Sequence, residues 1–242
     1  MNTPTAPDAA PDGAATSSWT AIIALAVAAF ALVSTEFLPV GLLPQIAREL
    51  GITEGQAGLM VTLPGLLAAF AAPMTIAFAG NIDRRWLLGG LLGLLVLSNV
   101  AVAFSGSFTF ILVGRVLLGL AVGGFWTIGG SLGPRLKPGA DAAKASALIL
   151  SGVSIGTVAG VPAGALLGEL MGWRWAFGVA SAVSVSVLVL LLAVLPPLPA
   201  SESSKGLRDI PELLKEPKVR LGLIAIVLVF VGQFASYTYI SP

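Results

Sequence analysis

Long apolar runs broken by short polar ones dominate the chain. Six runs are each about the length a helix needs to cross a bilayer, roughly 20 mostly apolar residues. They cover about 19–43, 56–79, 86–104, 108–131, 145–168 and 173–195. A seventh begins near 219 and reaches Pro242. None alternates apolar with polar in the manner of a barrel strand. Inside lipid a span must satisfy its own backbone hydrogen bonds, so all seven are expected to be helices in an all-α membrane protein.

The loops between the runs predict orientation. One set holds ten basic residues: Arg84, Arg85, Arg135, Lys137, Lys144, Lys205, Arg208, Lys215, Lys218 and Arg220. The other set holds two, Arg48 and Arg174. An excess of Lys and Arg marks cytoplasmic loops. The N-terminus and the loops 80–85, 132–144 and 196–218 are therefore expected on the cytoplasmic side. Four divisions follow. Residues 1–18, rich in Pro, Ala, Ser and Thr, read as a disordered cytoplasmic tail. They are not a secretory signal, because the positive leader is missing. Residues 19–195 form a six-helix transmembrane bundle. Residues 196–218 are a cytoplasmic linker, in which "LRDIPELLKEPKV" fits a surface amphipathic helix or a plain connection. Residues 219–242 begin a seventh helix, read as the start of a truncated second bundle or as the last span of a seven-span chain.

Composition narrows the chemistry. The chain is 56% hydrophobic and 10% charged, against about 25% charged in a soluble domain. It has no cysteine and no histidine. Disulfides, thiol chemistry and histidine-based metal or acid–base sites are excluded. No nucleotide-binding glycine–lysine loop is present, and no cofactor or metal is expected. A formal charge of +1 gives no footprint for nucleic acid. An enzyme is not expected, since no span carries clustered acids or a nucleophile–base pair.

Two charges lie within the spans. Glu36 interrupts "FALVSTEFLPVGLLPQIAREL", about 17 residues into an outward-running helix, or roughly 25 Å along it. Arg115 lies about seven residues into an inward-running one, at a similar depth. Each is costly in lipid unless paired or hydrated. The pair is a candidate for direct or water-bridged contact. Glu36 is a candidate for proton exchange with a water-filled cavity, with Arg115 tuning it. The structural alternatives are an interfacial or hydrogen-bonding Glu36 and an Arg115 that tethers helices.

Other positions mark packing and a cavity. Gly152, Gly156, Gly160, Gly164 and Gly168 recur every fourth residue in the fifth run, with Pro162 among them. Such a bare stripe lets a second helix approach closely, for tight packing or for gating. Phe37, Phe125, Trp126, Gln233 and Tyr237 are candidates for the wall of a solute cavity. Trp19, Trp86, Trp173 and Trp175 suit interface anchors. In the tight turn "AGNIDRRWLL", Gly80, Asp83, Arg84 and Arg85 form a charged loop that could latch helix ends, or simply fix topology. Asp83 suits the positive end of the third span.

Four stretches resemble the N-terminal half of a major facilitator superfamily transporter. "RVLLGLAVG" (Arg115 to Gly123) resembles the arginine motif of the fourth helix. "GTVAGVPAGALLG" (Gly156 to Gly168) resembles the glycine–proline motif of the fifth. "STEFLPVGLLPQIA" (Ser34 to Ala47) is similar to the acidic first-helix stretch. "GQFASYTYISP" (Gly232 to Pro242) looks like the opening of the seventh helix. The closest branch is that of drug:proton antiporters with bacterial arabinose-, purine- or chloramphenicol-type efflux permeases. In "GNIDRR" the family's second-to-third loop is shortened. If Arg84 and Arg85 match its basic pair, its aspartate falls on Gly80; if Asp83 matches, the basic tail is missing.

The resemblance implies two inverted three-helix repeats within the bundle. It also implies proton coupling at Arg115, and efflux of a small organic solute such as a sugar, nucleoside or drug. The expected location is a bacterial inner membrane. The expected partners are solute, protons, lipid and the missing C-terminal half. A uniporter or importer of the same fold, and a non-transporting membrane fragment or partner subunit, are the alternatives.

Overall fold

The computed structural model describes residues 18–80, 82–199 and 215–240, the last stretch with side chains only to Val229 and at Gly232. Every regular element among them is helical. In chain order these are α1 (Trp19–Phe37), α2 (Leu43–Leu50), α3 (Glu54–Ala57), α4 (Leu59–Ala79), α5 (Arg84–Ala103), α6 (Phe108–Leu136), α7 (Ala142–Met171), α8 (Trp173–Val194) and α9 (Pro217–Ile240). Six stretches are long and apolar enough to cross a membrane: Trp19–Gly41, Glu54–Ala79, Arg84–Ala103, Phe108–Leu136, Gly139–Met171 and Trp173–Val194. They coincide with the six expected runs.

The ends of these runs differ from the hydrophobic pattern for local reasons. The first span stops being α-helical at Phe37 and continues as a 3-10 turn, Leu38–Gly41, before α2. Pro39 and Pro44 each occupy the first turn of a new segment, where a missing N–H costs nothing. The second run begins with the capping box of α3. Thr53 Oγ1 accepts the Gln56 N–H at 3.1 Å, and the Gln56 side chain accepts the Thr53 N–H at 3.0 Å. Pro64, Pro73 and Pro162 lie inside α4 and α7, which are each assigned as one helix.

The strongest pairings expose the internal repeat. α4 packs most extensively on α6, and α1 on α7; α5 packs on both α6 and α8, and α1 also on α8. Take α1, α4 and α5 as one triplet and α6, α7 and α8 as the other. The pairing α4–α6 then maps onto α7–α1, α5–α6 onto α8–α1, and α5–α8 onto itself. Three spans separate each helix from its counterpart, so the counterparts run in opposite directions and the repeat is inverted.

Both matched pairings are close because one partner is bare. A Cβ on Gly119 of α6 would lie 2.8 Å from the Pro64 carbonyl oxygen of α4. A Cβ on Gly160 of α7 would lie 2.9 Å from Ser34 Cα of α1, and one on Gly156 3.0 Å from the Phe30 carbonyl oxygen. Gly152, Gly164 and Gly168 meet Ala26, Leu38 and Leu42 in the same way. The fifth-span stripe is thus occupied by α1 and by the chain that continues it to Leu42.

A core of Leu25, Leu32, Leu92, Leu118, Phe125 and Leu132 joins α1, α5 and α6 through the middle. A second core, near the opposite end from the basic loops, gathers Leu42, Ile46, Met60, Ile111, Trp173 and Phe177. Trp173 is 1% exposed, so it is a core residue and not an interface anchor; Trp86 and Trp175 are 66% and 61% exposed. Residues 201–242 form a separate unit. Its described part is the helix α9, where a seventh run was expected. The tail 1–17 and most of the linker, with its candidate surface helix, lie outside the described residues.

Candidate functional site

Arg115 is wholly buried on α6. A guanidinium stays charged in a protein, so burial demands donors be met at every edge. Its Nε donates to the Met60 carbonyl of α4 at 2.7 Å. Nη1 and Nη2 both donate to the Thr35 carbonyl of α1 at 3.3 Å, and Nη2 also to the Glu36 carbonyl at 3.1 Å. The Phe177 ring of α8 lies 5.9 Å from the guanidinium carbon. One side chain therefore ties α6 to α1 and α4 and sits beside α8.

The accepting carbonyls are available because of the break at Phe37. The last turn of a helix leaves carbonyls without intrahelical partners. Arg115 takes those of Thr35 and Glu36. The expected Glu36–Arg115 contact therefore runs through the backbone of Glu36. Its carboxylate makes no ion pair with Arg115; the ion pair found among the described residues is Glu49–Arg174. Glu36 is itself half-buried.

Thr35 extends the tether. Its hydroxyl accepts from Asn99 Nδ2 of α5 at 3.2 Å, and the same Nδ2 donates to Ser184 Oγ of α8 at 3.1 Å. Ser184 Oγ donates onward to the Ala180 carbonyl at 2.7 Å. Thr35, Asn99 and Ser184 are all buried. A continuous polar chain so links α6, α1, α5 and α8 within an apolar bundle. Sequence reading missed these three. The available signal was Asn99, an amide inside an apolar span, which needs an interhelical partner.

The remaining candidates separate. Phe125 is fully buried in the central core and meets Trp126 edge-on at 5.5 Å. That corrects its assignment to a cavity wall: it is a packing residue. Trp126 is half-buried against the same core, and Phe37 is half-buried. The side chains of Gln233 and Tyr237 lie outside the described residues. Two crevices occur instead at repeat-related places. One, of about 140 Å³, lies between α1, α7 and α8 and includes Ser34, Thr35, Gly160 and Val183. The other, of about 210 Å³, lies between α4, α5 and α6 and includes Met74, Thr75 and Leu120.

The charged turn is built into the bundle. Asp83 caps α5, its Oδ1 accepting the Arg85 N–H at 2.8 Å. The same oxygen accepts the Leu198 N–H at 3.1 Å, and the Arg84 N–H donates to the Leu198 carbonyl at 2.9 Å. Arg85 donates to the Leu192 carbonyl, and Arg135 to that of Pro199 at 2.9 Å. The partner of this turn is the segment leaving α8. Gly80 terminates α4 at φ 38°.

At the opposite end Arg174 joins three loops. It pairs with Glu49 of α2, donates to the Ser105 carbonyl at 3.2 Å, and stacks on Trp173 at 4.2 Å. Trp173 Nε1 also donates to Glu49. Partial burial alone would raise the Glu49 pKa, but these donors outweigh it and hold the carboxyl below its ordinary value.

Residues 25–242 match the sequence profile of the Major Facilitator Superfamily. The chain is 41% identical over 231 residues to the purine ribonucleoside efflux pump NepI of Salmonella paratyphi A, covering 96% of this chain and 58% of that protein. It is 40% identical to the NepI pump of Salmonella typhimurium strain LT2 over the same extent. Its fold is similar to a POT family transporter solved with 5-aminolevulinic acid, with TM-score 0.63, 14% identity, 91% of this chain and 46% of that one. It is also similar to a peptide transporter of the POT family solved with alafosfalin, with TM-score 0.63, 18% identity, 96% of this chain and 50% of that one.

The chain belongs to the major facilitator superfamily of membrane transporters, a non-catalytic family. It spans 58% of the length of the NepI relative. It aligns with roughly the N-terminal half of a larger family member, as a multi-pass membrane protein.

Proposed function

We propose that this chain supplies the N-terminal bundle of a proton-coupled exporter of small organic solutes, with purine ribonucleosides as the first class to test. The bundle is 19–195, the linker 196–218, and residues 219–242 open a second bundle. The N-terminus is cytoplasmic. A complementary C-terminal half completes the pathway, and solute crosses between the halves by alternating access.

One observation carries the reading. The wholly buried Arg115 holds the broken end of α1 by the carbonyls of Thr35 and Glu36. This fixes the backbone of the acidic residue where α1, α4 and α6 converge, while leaving the carboxylate outside the hydrogen-bond set of Arg115. A group positioned but not consumed in this way is suited to exchange a proton as the halves rock. The identity with purine ribonucleoside efflux pumps supports the direction and the solute class.

The test is uptake of a radiolabelled purine ribonucleoside into everted membrane vesicles holding this chain with its complementary half. A proton gradient drives uptake in the wild type, and Glu36→Gln abolishes gradient-driven uptake while leaving protein level unchanged. Uptake insensitive to a protonophore assigns a uniporter instead. Wild-type rates in Glu36→Gln overturn the role of the carboxylate.

A further inference from the structure

Asn99 is a wholly buried amide on α5. Its Nδ2 is used twice, donating to Thr35 Oγ1 of α1 at 3.2 Å and to Ser184 Oγ of α8 at 3.1 Å. Its Oδ1 is buried as well and has no hydrogen-bond partner among the described residues. An unfilled acceptor away from water is a cost that an apolar residue of the same shape avoids. Nor do the two hydroxyls need the amide. Ser184 already donates to the Ala180 carbonyl of its own helix, and Thr35 can turn its hydroxyl to α1 one turn back in the same way. Asn99 therefore adds little to stability. A local rule broken at a buried polar group points to a functional position.

What Asn99 does add is a second hold on Thr35. The carbonyl of Thr35 is held from α6 by both Nη atoms of Arg115, each at 3.3 Å. Its hydroxyl is held from α5 by Asn99. Two attachments on one residue fix the rotation of a helix end as well as its place. Glu36 is the next residue, and its carbonyl accepts from the same Arg115. The direction in which the Glu36 side chain leaves α1 is thus set from two helices at once, with α8 bracing Asn99 through Ser184.

We propose that Asn99 is a positioning residue for gradient-driven transport. Through its bond to Thr35 Oγ1 it holds the broken end of α1 in the orientation in which the Glu36 carboxyl exchanges its proton. The inference rests on the proton exchange proposed for Glu36. Asn99 acts through Thr35 and not on the solute, so its loss slows turnover and leaves solute affinity in place.

The test uses gradient-driven purine ribonucleoside uptake into everted vesicles holding this chain with its complementary half. Asn99→Leu lowers Vmax about tenfold, the rate equivalent of one hydrogen bond, and leaves KM within about twofold. Its unfolding midpoint in detergent stays within about 2 °C of wild type or rises. Thr35→Val cuts the same bond with little change of shape, keeps the carbonyl for Arg115, and reproduces the loss; it carries the test if Asn99→Leu does not fold. The double variant is no slower than the slower single one, because both remove one interaction. Losses that multiply, a rise in KM that accounts for the lost rate, or a fall in midpoint that parallels it overturns the proposal. Wild-type uptake in Asn99→Leu and Thr35→Val, with Glu36→Gln inactive, overturns this inference alone. Wild-type uptake in Glu36→Gln overturns the proton-exchange reading and this inference with it.

Discussion

Arg115 reaches Glu36 through the backbone: Nη2 donates to the Glu36 carbonyl at 3.1 Å. The guanidinium therefore reads the end of α1 as a shape, a pair of free carbonyls, and not as a charge. Glu36 can be changed without taking a partner from Arg115, whereas changing Arg115 orphans carbonyls on two helices.

The first prediction follows from that asymmetry. Arg115→Ala leaves the Thr35, Glu36 and Met60 carbonyls without their buried donor and opens a cavity. The expected loss is at least about 3 kcal/mol of stability. Arg115→Lys keeps the charge but lacks the planar fork, and recovers under half of the loss. Thermal or denaturant unfolding in detergent measures both.

Glu36→Gln keeps the backbone carbonyl and the side-chain volume. Its unfolding free energy stays within about 1 kcal/mol of wild type, although gradient-driven transport is lost on the proposed mechanism. A midpoint that drops as far as that of Arg115→Ala would show that the carboxylate is structural.

The glycines give a matched pair. Gly160→Ala places a methyl 2.9 Å from Ser34 Cα and separates α7 from α1, at a cost of about 1–3 kcal/mol. Gly93→Ala meets nothing within 4 Å on α5 and gains about 0.5–1 kcal/mol from helix propensity. Opposite signs in unfolding experiments distinguish close approach from glycine content.

Acid acts on the opposite end. The carboxyl of Glu49 is held below its ordinary value, so its contribution is complete above the unfolded pKa of about 4.3. It disappears as pH falls through the lower folded value. The unfolding midpoint therefore declines below about pH 4.3. Arg174→Gln flattens that decline, because the partner that stabilises the anion is gone. Midpoints measured between pH 3 and 6 check it.

The capped turn is a further case. Asp83→Ala removes the α5 cap and the acceptor of the Leu198 N–H, costing about 1–2 kcal/mol. Hydrogen exchange at Leu198 rises in the same variant.

The chain's own pattern was enough to place six spans, the extra helix at α9 and the glycine face of α7. Each of these is a local property: a run of apolar side chains long enough for a bilayer, or bare positions one helical turn apart. The rarity of Glu36 and Arg115 in lipid singled them out equally early. Their relation was not available, because it depends on where α1 stops. Pro39 lies at that stop, and Arg115 exploits the freed carbonyls from 79 and 80 positions away.

Partners of that kind were decided by the tertiary structure alone. Asn99 meets Thr35 and Ser184, Arg174 meets Glu49, and Leu198 meets Asp83 across 64 to 125 residues. Phe125 and Trp173 became core residues because a neighbouring helix covers them, which hydropathy does not distinguish from a cavity wall or an interface. Periodicity along one helix specifies which face is apolar or bare. Only the packing of six helices specifies what that face meets, because polar groups in lipid bond to whatever the fold brings within reach.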